Sequence, residues 1–312
     1  MFDLSSNFNL YPQISQVSQI QVAACLSELS YNQTNTQNSI QKPQFAVGDP
    51  KNPQDAYEYE QTIYYEMLKA ETSFPNTNLV QTEITENDYN ILVDWLCRMH
   101  YKSHLSTASF SRCIGLLARV FALVNIELSK FPLVGCTCML IASKVEGTKR
   151  LTYDKVLAFF PSELKKEDLR IMETNILTLL NFNVNFPSHF FFLTHLLRNT
   201  DQSAVAVLFA RYILEIAQTA NIWYTRPSIM TSAVIALSRL LLGGVAWPDQ
   251  LREYTNYTIN DLYVHMKFLH QLLLKYRKQE NMFIRRKYSS KAFYEVALIP
   301  IPEILPDLSL LM

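Results

Sequence analysis

The side chains of this sequence that could do chemistry are few, and no group of them has the spacing of a catalytic or metal site. His100 and His104 are four residues apart, a spacing that metal ligands on one helix face use, but Arg98 and Lys102 flank them and no third ligand is near. Cys136 and Cys138 are two residues apart and would point about 200° apart around a helix, so they cannot chelate one ion together. We therefore predict no metal site and no cofactor.

Enzyme signatures are also missing from the sequence. With only six glycines the chain has no phosphate-binding loop of the Walker or dinucleotide type, and it has no G-x-S-x-G motif. These features favour a binding protein over an enzyme.

Composition indicates a folded chain whose partner is a protein. The 312 residues are 49% hydrophobic and 12% aromatic, enough for one large or two medium domains with their own cores. Lys plus Arg and Asp plus Glu are 28 each, so net charge gives no reason to expect nucleic acid or an anionic membrane. The five cysteines form no C-x-x-C pair, and we expect reduced core thiols in a protein of the nucleus or cytoplasm.

Neither a secretory signal nor a membrane span is predicted. The N-terminal region contains Asp3, no early basic residue and no apolar segment typical of a signal peptide. The longest apolar stretch, Pro227 to Pro248, contains Arg239 near its middle and fits a buried helix better than a membrane span.

The N-terminal part of the chain differs in composition from the rest. Residues 1–55 contain no arginine and are rich in Gln, Asn and Ser, so we expect a mobile polar region, with a short amphipathic helix possible around Ile14 to Ala24. Residues 56–84 are predicted to form an N-terminal helix and a linker. Asp55 would cap that helix, which would run through Ile63 and Met67 to about Glu71.

From Thr85 onward, helical periodicity dominates and predicts ten helices in two sets of five. The second set matches the first at a nearly constant offset: Pro227 matches Pro132 (227 − 132 = 95) and Leu262 matches Leu169 (262 − 169 = 93). In each set the third helix is expected to be central, because small residues such as Gly135 allow close packing around it. The predicted helices are one through Ile91–Met99, then Leu105–Val124, Phe131–Val145, Thr152–Phe159, Lys165–Leu180, Pro187–Arg198, Ser203–Thr219, Pro227–Leu242, Trp247–Tyr254 and Ile259–Arg277.

Five segments, in order and at family spacing, resemble the cyclins. They are Ile91-Leu-Val-Asp-Trp-Leu96, Pro132-Leu-Val-Gly135 with Leu140-Ile-Ala-Ser-Lys144, Leu169-Arg-Ile-Met-Glu173, Trp247-Pro248 with Leu251, and Ile284-Arg-Arg-Lys-Tyr288. The last two are similar to the mitotic A and B types. The resemblance implies an all-α fold of two tandem five-helix cyclin boxes, at residues 85–185 and 186–278, with an extra N-terminal helix and a C-terminal tail at 279–312.

The resemblance also implies a partner, a cyclin-dependent serine/threonine kinase that the chain would bind and activate by positioning its αC helix and activation loop. In the family, the lysine that ends helix 3 and the glutamate of helix 5 bond to the kinase; here these are Lys144 and Glu173. A charged donor and a charged acceptor flanked by apolar groups suit a protein interface, although an isolated lysine and helix glutamate are usually plain surface residues. The other implied kinase contacts are Ile141, Val145, Leu177, Phe182 and Val184, with Ile63 and Met67 on the N-terminal helix. Core packing is the alternative for Ile141 and Leu177.

The resemblance implies a second site, a patch beside helix 1 that in the family binds Arg-x-Leu peptides of substrates or inhibitors. In this sequence the patch departs from the family pattern. Asp88 stands where a methionine is usual, and Arg98 where an acidic residue would attract the peptide's arginine. We therefore predict weak or altered docking, because like charges repel at the rim. The patch positions are Asp88, Ile91, Leu92, Trp95, Arg98, Phe131 and Pro132.

A cyclin-fold transcription regulator, either a transcriptional cyclin or a DNA-binding general factor, is the alternative function. The basic residues between Lys275 and Lys291 are its only support, and their simpler interpretation is a solvated helix end and tail. Nucleic acid is therefore not an expected partner.

Overall fold

A computed structural model describes residues 41–52, 56–71, 81–147, 149–160, 164–198, 203–220, 222 and 225–310. Within these ranges the chain forms twelve α-helices and no strand, so the all-α prediction is confirmed. The possible helix around Ile14 to Ala24 and the capping role of Asp55 lie outside the described residues.

Two five-helix units follow an N-terminal helix, as the repeat predicts. After α1 (Glu60–Glu71), the first unit comprises α2 to α6 and the second α7 to α11, and the short helix α12 (Phe283–Tyr288) follows. The remaining bounds are α2 (Glu86–Lys102), α3 (Thr107–Leu123), α4 (Phe131–Glu146), α5 (Tyr153–Leu157), α6 (Lys166–Leu179), α7 (His189–Leu197), α8 (Ala204–Gln218), α9 (Pro227–Leu241), α10 (Asp249–Thr255) and α11 (Ile259–Arg277).

Side-chain caps explain where several helices begin. Thr85 and Asp88 form a reciprocal capping box at the start of α2, and Thr258 and Asp261 form the equivalent box at the start of α11. Ser188 and Ser203 accept backbone N–H groups at the starts of α7 and α8. These caps satisfy donors that would otherwise have no partner within the helix.

The third helix of each unit, α4 and α9, is central and almost wholly buried. In α4 every residue from Val134 to Ser143 is buried, and in α9 every residue from Pro227 to Ser238 is. A methyl group added to Gly135 would lie 2.9 Å from Leu92 Cδ2 of α2. The predicted role of a small residue here is therefore confirmed: it lets α2 and α4 approach closely.

Helix α1 packs on the second unit through two buried carboxylates. Glu60 accepts hydrogen bonds from the Tyr254 hydroxyl and, at 3.0 Å, from Val47 N–H, while Glu71 accepts the Ser228 N–H at 2.9 Å. Burial raises the pKa of Glu71 to about 7 despite the bonds from Ser228.

Two N-terminal predictions need correction. The helix begins at Glu60, four residues after the described chain resumes, because Ala56 has a left-handed backbone (φ 47°) and residues 57–59 form a turn. The predicted mobile region 1–55 also extends too far, since Val47 is buried and the Phe45 ring contacts Tyr254 at 5.6 Å. The apolar run Phe45-Ala46-Val47 provides this packing.

The C-terminal tail binds both units. Asp94 of α2, buried, accepts the backbone N–H groups of Phe283 and Ile284 at 2.9 Å each, which caps α12. Lys287 of α12 reaches both carboxylate oxygens of Glu215 of α8 at 2.8 Å. Burial alone would lower the pKa of Lys287, but the Glu215 carboxylate outweighs it and raises that pKa. The tail therefore links α2 to α8.

Several side chains considered for chemistry have structural roles instead. Helix α2 ends at Lys102, so exposed His104 (φ 53°) lies beyond it and does not share a helix face with buried His100. The cysteines at 97, 113, 136 and 138 are buried, as expected of core residues, and the described residues include no cluster able to hold a metal. In the part of the chain that the structure describes, one apolar helical stretch, Leu128–Glu146, is long enough to cross a membrane, but 61% of its most apolar window is buried inside the fold, as expected of a core helix.

Candidate functional site

Lys144 and Glu173 meet in an ion pair between the last turn of α4 and the middle of α6. Lys144 Nζ lies 2.5 Å from Glu173 Oε1, and the Tyr153 hydroxyl donates to Glu173 Oε2 at 2.6 Å. The carboxylate is mostly buried, whereas the lysine side chain is 38% exposed. The two residues implied by the family resemblance are thus brought together at one site, with the lysine side chain partly exposed.

Apolar side chains border this pair on the surface. Val145, next to the lysine, is 41% exposed, and Phe182, just after α6, is 68% exposed. Leu177 and Val184 are half-buried. Ile141, also predicted for this surface, is only 2% exposed and belongs to the core, because it lies on the inward side of the central helix α4.

Phe182 has an unusual backbone for a bulky residue. Asn181 and Phe182 both have left-handed conformations, with φ of 49° and 57°. Such a conformation costs roughly 1–2 kcal/mol per non-glycine residue, so surrounding contacts must hold it in place. Here the Phe182 N–H donates to Leu177 O at 2.8 Å, and its carbonyl accepts the Val184 N–H at 2.9 Å. These backbone hydrogen bonds hold the exposed Phe182 ring in one position beside the end of α6.

An arginine joins the segment after α6 to the end of α4. Arg112 of α3 pairs with Glu146, two residues beyond Lys144, and also donates to Val184 O at 2.7 Å. Arg119 donates to Asn183 O at 2.5 Å. The apolar segment and the charged pair are therefore held on one rigid frame.

Helix α1 carries a second apolar stripe. Its inward face is formed by Glu60, Tyr64, Leu68 and Glu71, all buried. Ile63 and Met67 lie one position before Tyr64 and Leu68 and are half-buried, with Tyr59 exposed one turn earlier. The two predicted positions are thus accessible for contact.

The predicted peptide patch beside α2 is only partly present as a surface. Leu92 and Phe131 are buried in the core, which differs from the prediction, while Ile91 and Trp95 are half-buried. The Trp95 indole packs against the Phe159 and Phe160 rings, with centroids 6.4 and 5.6 Å apart.

The charges at this patch are already engaged. Asp88 accepts the Thr85 N–H at 2.9 Å within the capping box, so its carboxylate stabilises α2. The Arg98 guanidinium lies 5.6 Å from the Phe283 ring centroid in the tail. The Arg98 cation thus lies one turn from Trp95 on the same helix and packs on the C-terminal tail.

The sequence predicts that the basic residues near the C-terminus are solvated, but several of them have acidic partners within the protein. Lys287 is buried with Glu215, Lys275 pairs with Glu86 at 3.2 Å, and Arg277 pairs with Glu303 at 2.6 Å. These partners stabilise the fold, and pairing leaves less positive charge for binding nucleic acid.

Comparison with known proteins places both units in one family. The cyclin N-terminal domain matches residues 62–185 and the cyclin C-terminal domain matches residues 187–302. A viral cyclin from herpesvirus saimiri has a similar fold, with a TM-score of 0.59 at 17% identity over 67% of this chain and 97% of that chain.

Several relatives are mitotic cyclins. The G2/mitotic-specific cyclin-B of Patella vulgata is 30% identical over 257 residues, which cover 81% of this chain and 63% of that protein. The G2/mitotic-specific cyclin-B3 of Gallus gallus is 31% identical over 77% of this chain and 60% of that protein. The cyclin-A1 of Xenopus laevis is 29% identical over 72% of this chain and 54% of that protein. The matched region thus spans less than two thirds of these relatives' length. With cyclin domains matching both of its helical units, this chain belongs to the cyclin family and resembles the A and B types within it.

Proposed function

We propose that the chain is a non-catalytic regulatory subunit that binds a cyclin-dependent serine/threonine kinase and acts in mitotic control in the nucleus or cytoplasm. The observation that carries this proposal is the Lys144–Glu173 pair, bordered by the exposed side chains of Val145 and Phe182. A partly exposed lysine and a fixed carboxylate beside apolar side chains suit the backbone carbonyl and N–H groups of a partner.

Activation follows if this surface binds one kinase conformation better than another. A ligand shifts a two-state equilibrium only by its difference in affinity for the two states. Arg112 contacts both Glu146 at the end of α4 and Val184 O, so these two parts of the surface keep a fixed relation and can favour one arrangement of a neighbouring helix. We propose that this arrangement is the active position of the kinase αC helix and activation loop.

Binding can be tested with one pair of matched variants. Phe182 and Tyr294 are both exposed aromatic residues with left-handed backbones, but Tyr294 lies in the C-terminal tail. Purified cyclin-dependent kinases of the source organism would be titrated one at a time with the wild-type chain, Phe182→Ala and Tyr294→Ala. For the kinase that binds, we expect Phe182→Ala to weaken affinity about tenfold or more and Tyr294→Ala to have no effect. Failure of every kinase to bind the wild-type chain would contradict the proposal.

The alternative, a DNA-binding transcription factor, gains no support from the fold. Its basis was the basic cluster, of which Lys275, Arg277 and Lys287 have acidic partners within the protein. Salt-dependent DNA binding in a mobility assay would favour this alternative.

A further inference from the structure

Tyr153 is the first residue of α5 and lies beside the Lys144–Glu173 pair. Thr152 caps this short helix by accepting the Lys155 N–H at 3.3 Å, which fixes where the tyrosine emerges. The Tyr153 hydroxyl donates to Glu173 Oε2 at 2.6 Å, and the ring centroid lies 5.2 Å from Lys144 Nζ. The tyrosine thus contacts both members of the pair.

The result is a carboxylate held at both oxygens. Glu173 Oε1 accepts from Lys144 and Oε2 accepts from Tyr153, so the plane of the carboxylate is fixed. The hydrogen bond to Glu173 also raises the pKa of Tyr153, and the hydroxyl stays protonated and able to donate. A carboxylate offers about four acceptor sites and an ammonium three donors, so both groups keep capacity for a partner.

We propose that Tyr153 is a positioning residue that holds Glu173 and Lys144 in the orientation in which they contact the kinase. This inference rests on the proposed function. Without the Tyr153 hydroxyl, the Glu173 side chain would sample more rotamers in the free protein and would lose this freedom on binding. The entropy lost would weaken the affinity about two- to tenfold. The aromatic ring adds a contact with the ammonium that keeps the lysine over the site.

The test uses variants that remove a single hydroxyl. Tyr153→Phe keeps the ring and deletes the bond to Glu173, whereas Tyr263→Phe deletes a comparable bond, to Pro306 O at 3.0 Å, in the second unit. In titrations of the full chain with the kinase that binds the wild type, we expect Tyr153→Phe to weaken affinity about fivefold and Tyr263→Phe to leave it unchanged.

A double-mutant cycle separates positioning from a general structural effect. If the hydroxyl acts through the Glu173 carboxylate, Tyr153→Phe has no further effect in a Glu173→Ala background, which removes the acceptor, and the unfolding midpoint of Tyr153→Phe stays close to that of the wild type. Equal affinity of Tyr153→Phe and the wild type would overturn the inference while leaving the proposed function intact. Additive losses in the cycle would also overturn it. Absence of any kinase binding by the wild type would instead refute the proposed function.

Discussion

The buried pair between Lys287 and Glu215 gives the sharpest prediction about stability. Both side chains are only 5% exposed, and the ammonium reaches both carboxylate oxygens at 2.8 Å. Replacing Lys287 with methionine keeps much of the side-chain volume but leaves the Glu215 carboxylate buried without its ammonium partner. Among the described residues, its remaining hydrogen-bond donors are the Tyr288 hydroxyl, at 2.9 Å, and the Cys97 thiol, at 3.6 Å. Neither donor carries the charge that the ammonium supplied.

The expected loss is large because an uncompensated charge stays in the interior. Breaking one side of a buried ion pair costs about 3–5 kcal/mol, which in a chain of this size lowers Tm by roughly 5–8 °C. Removing both charges together, in Lys287→Met with Glu215→Met, should recover most of this loss, since an apolar pair of similar volume is often as stable as the ion pair.

Thermal and urea unfolding, followed by circular dichroism, measure this difference. The matched control is Lys130→Met, which breaks an exposed pair with Glu127 whose side chains are 57% and 58% exposed. That control should cost at most about 1 kcal/mol. A Lys287→Met variant as stable as Lys130→Met would refute the claim that this pair ties the tail to the second unit.

Three further predictions concern single positions. Glu71 has a folded pKa of about 7, above its ordinary 4.5, so the stability that protonated Glu71 contributes is fully present below pH 4.5 and is lost as pH rises through 7. The free energy of unfolding should fall by about 3 kcal/mol over this range. Urea unfolding of Glu71→Gln across pH 4.5–8 should lack this fall. Gly135→Ala should lower the free energy of unfolding by about 1–3 kcal/mol, because its methyl would lie 2.9 Å from Leu92 Cδ2; a Tm equal to that of the wild type would contradict this packing. Arg-x-Leu peptides should bind weakly by calorimetry and more tightly to Arg98→Glu, and tight binding to the wild type would show that the cation at this rim does not repel them.

Helix positions were predictable because their signals are local. The nine predicted helices with stated bounds lie within two residues of the observed ones, and α11 (Ile259–Arg277) matches at both ends. Its apolar periodicity, its Thr258–Asp261 cap and its basic last turn all lie within or next to the helix. Start sites failed where a turn intervened, as before Glu60.

The candidate site was predictable in part, and the missing part depends on distant residues. The family pattern identified Lys144 and Glu173, but Tyr153 had no signal because its role depends on a carboxylate 20 residues away in another helix. Asp94 looked like one charge in an apolar run, yet its partners Phe283 and Ile284 follow 189 and 190 residues later. Periodicity cannot show such pairings.

Exposure was the least predictable property of the site residues. An apolar residue on a helix that is buried on most sides gives no sign of which side meets solvent. For Ile141 the sequence left surface contact and core packing open, and the residue is buried in the core. Val145, four residues later, is exposed because it lies in the last turn of α4, near the edge of the fold.

Kinase activation by a double variant tests the central claim most directly. The chain carrying Lys144→Ala and Glu173→Ala would be mixed with the kinase that the wild type binds, and phosphate transfer to a protein substrate would be measured, with circular dichroism as a check on folding. We predict that the folded variant fails to activate the kinase, whereas Lys130→Ala activates it like the wild type. Full activation by the double variant would contradict the assignment of this ion pair as the kinase-binding site.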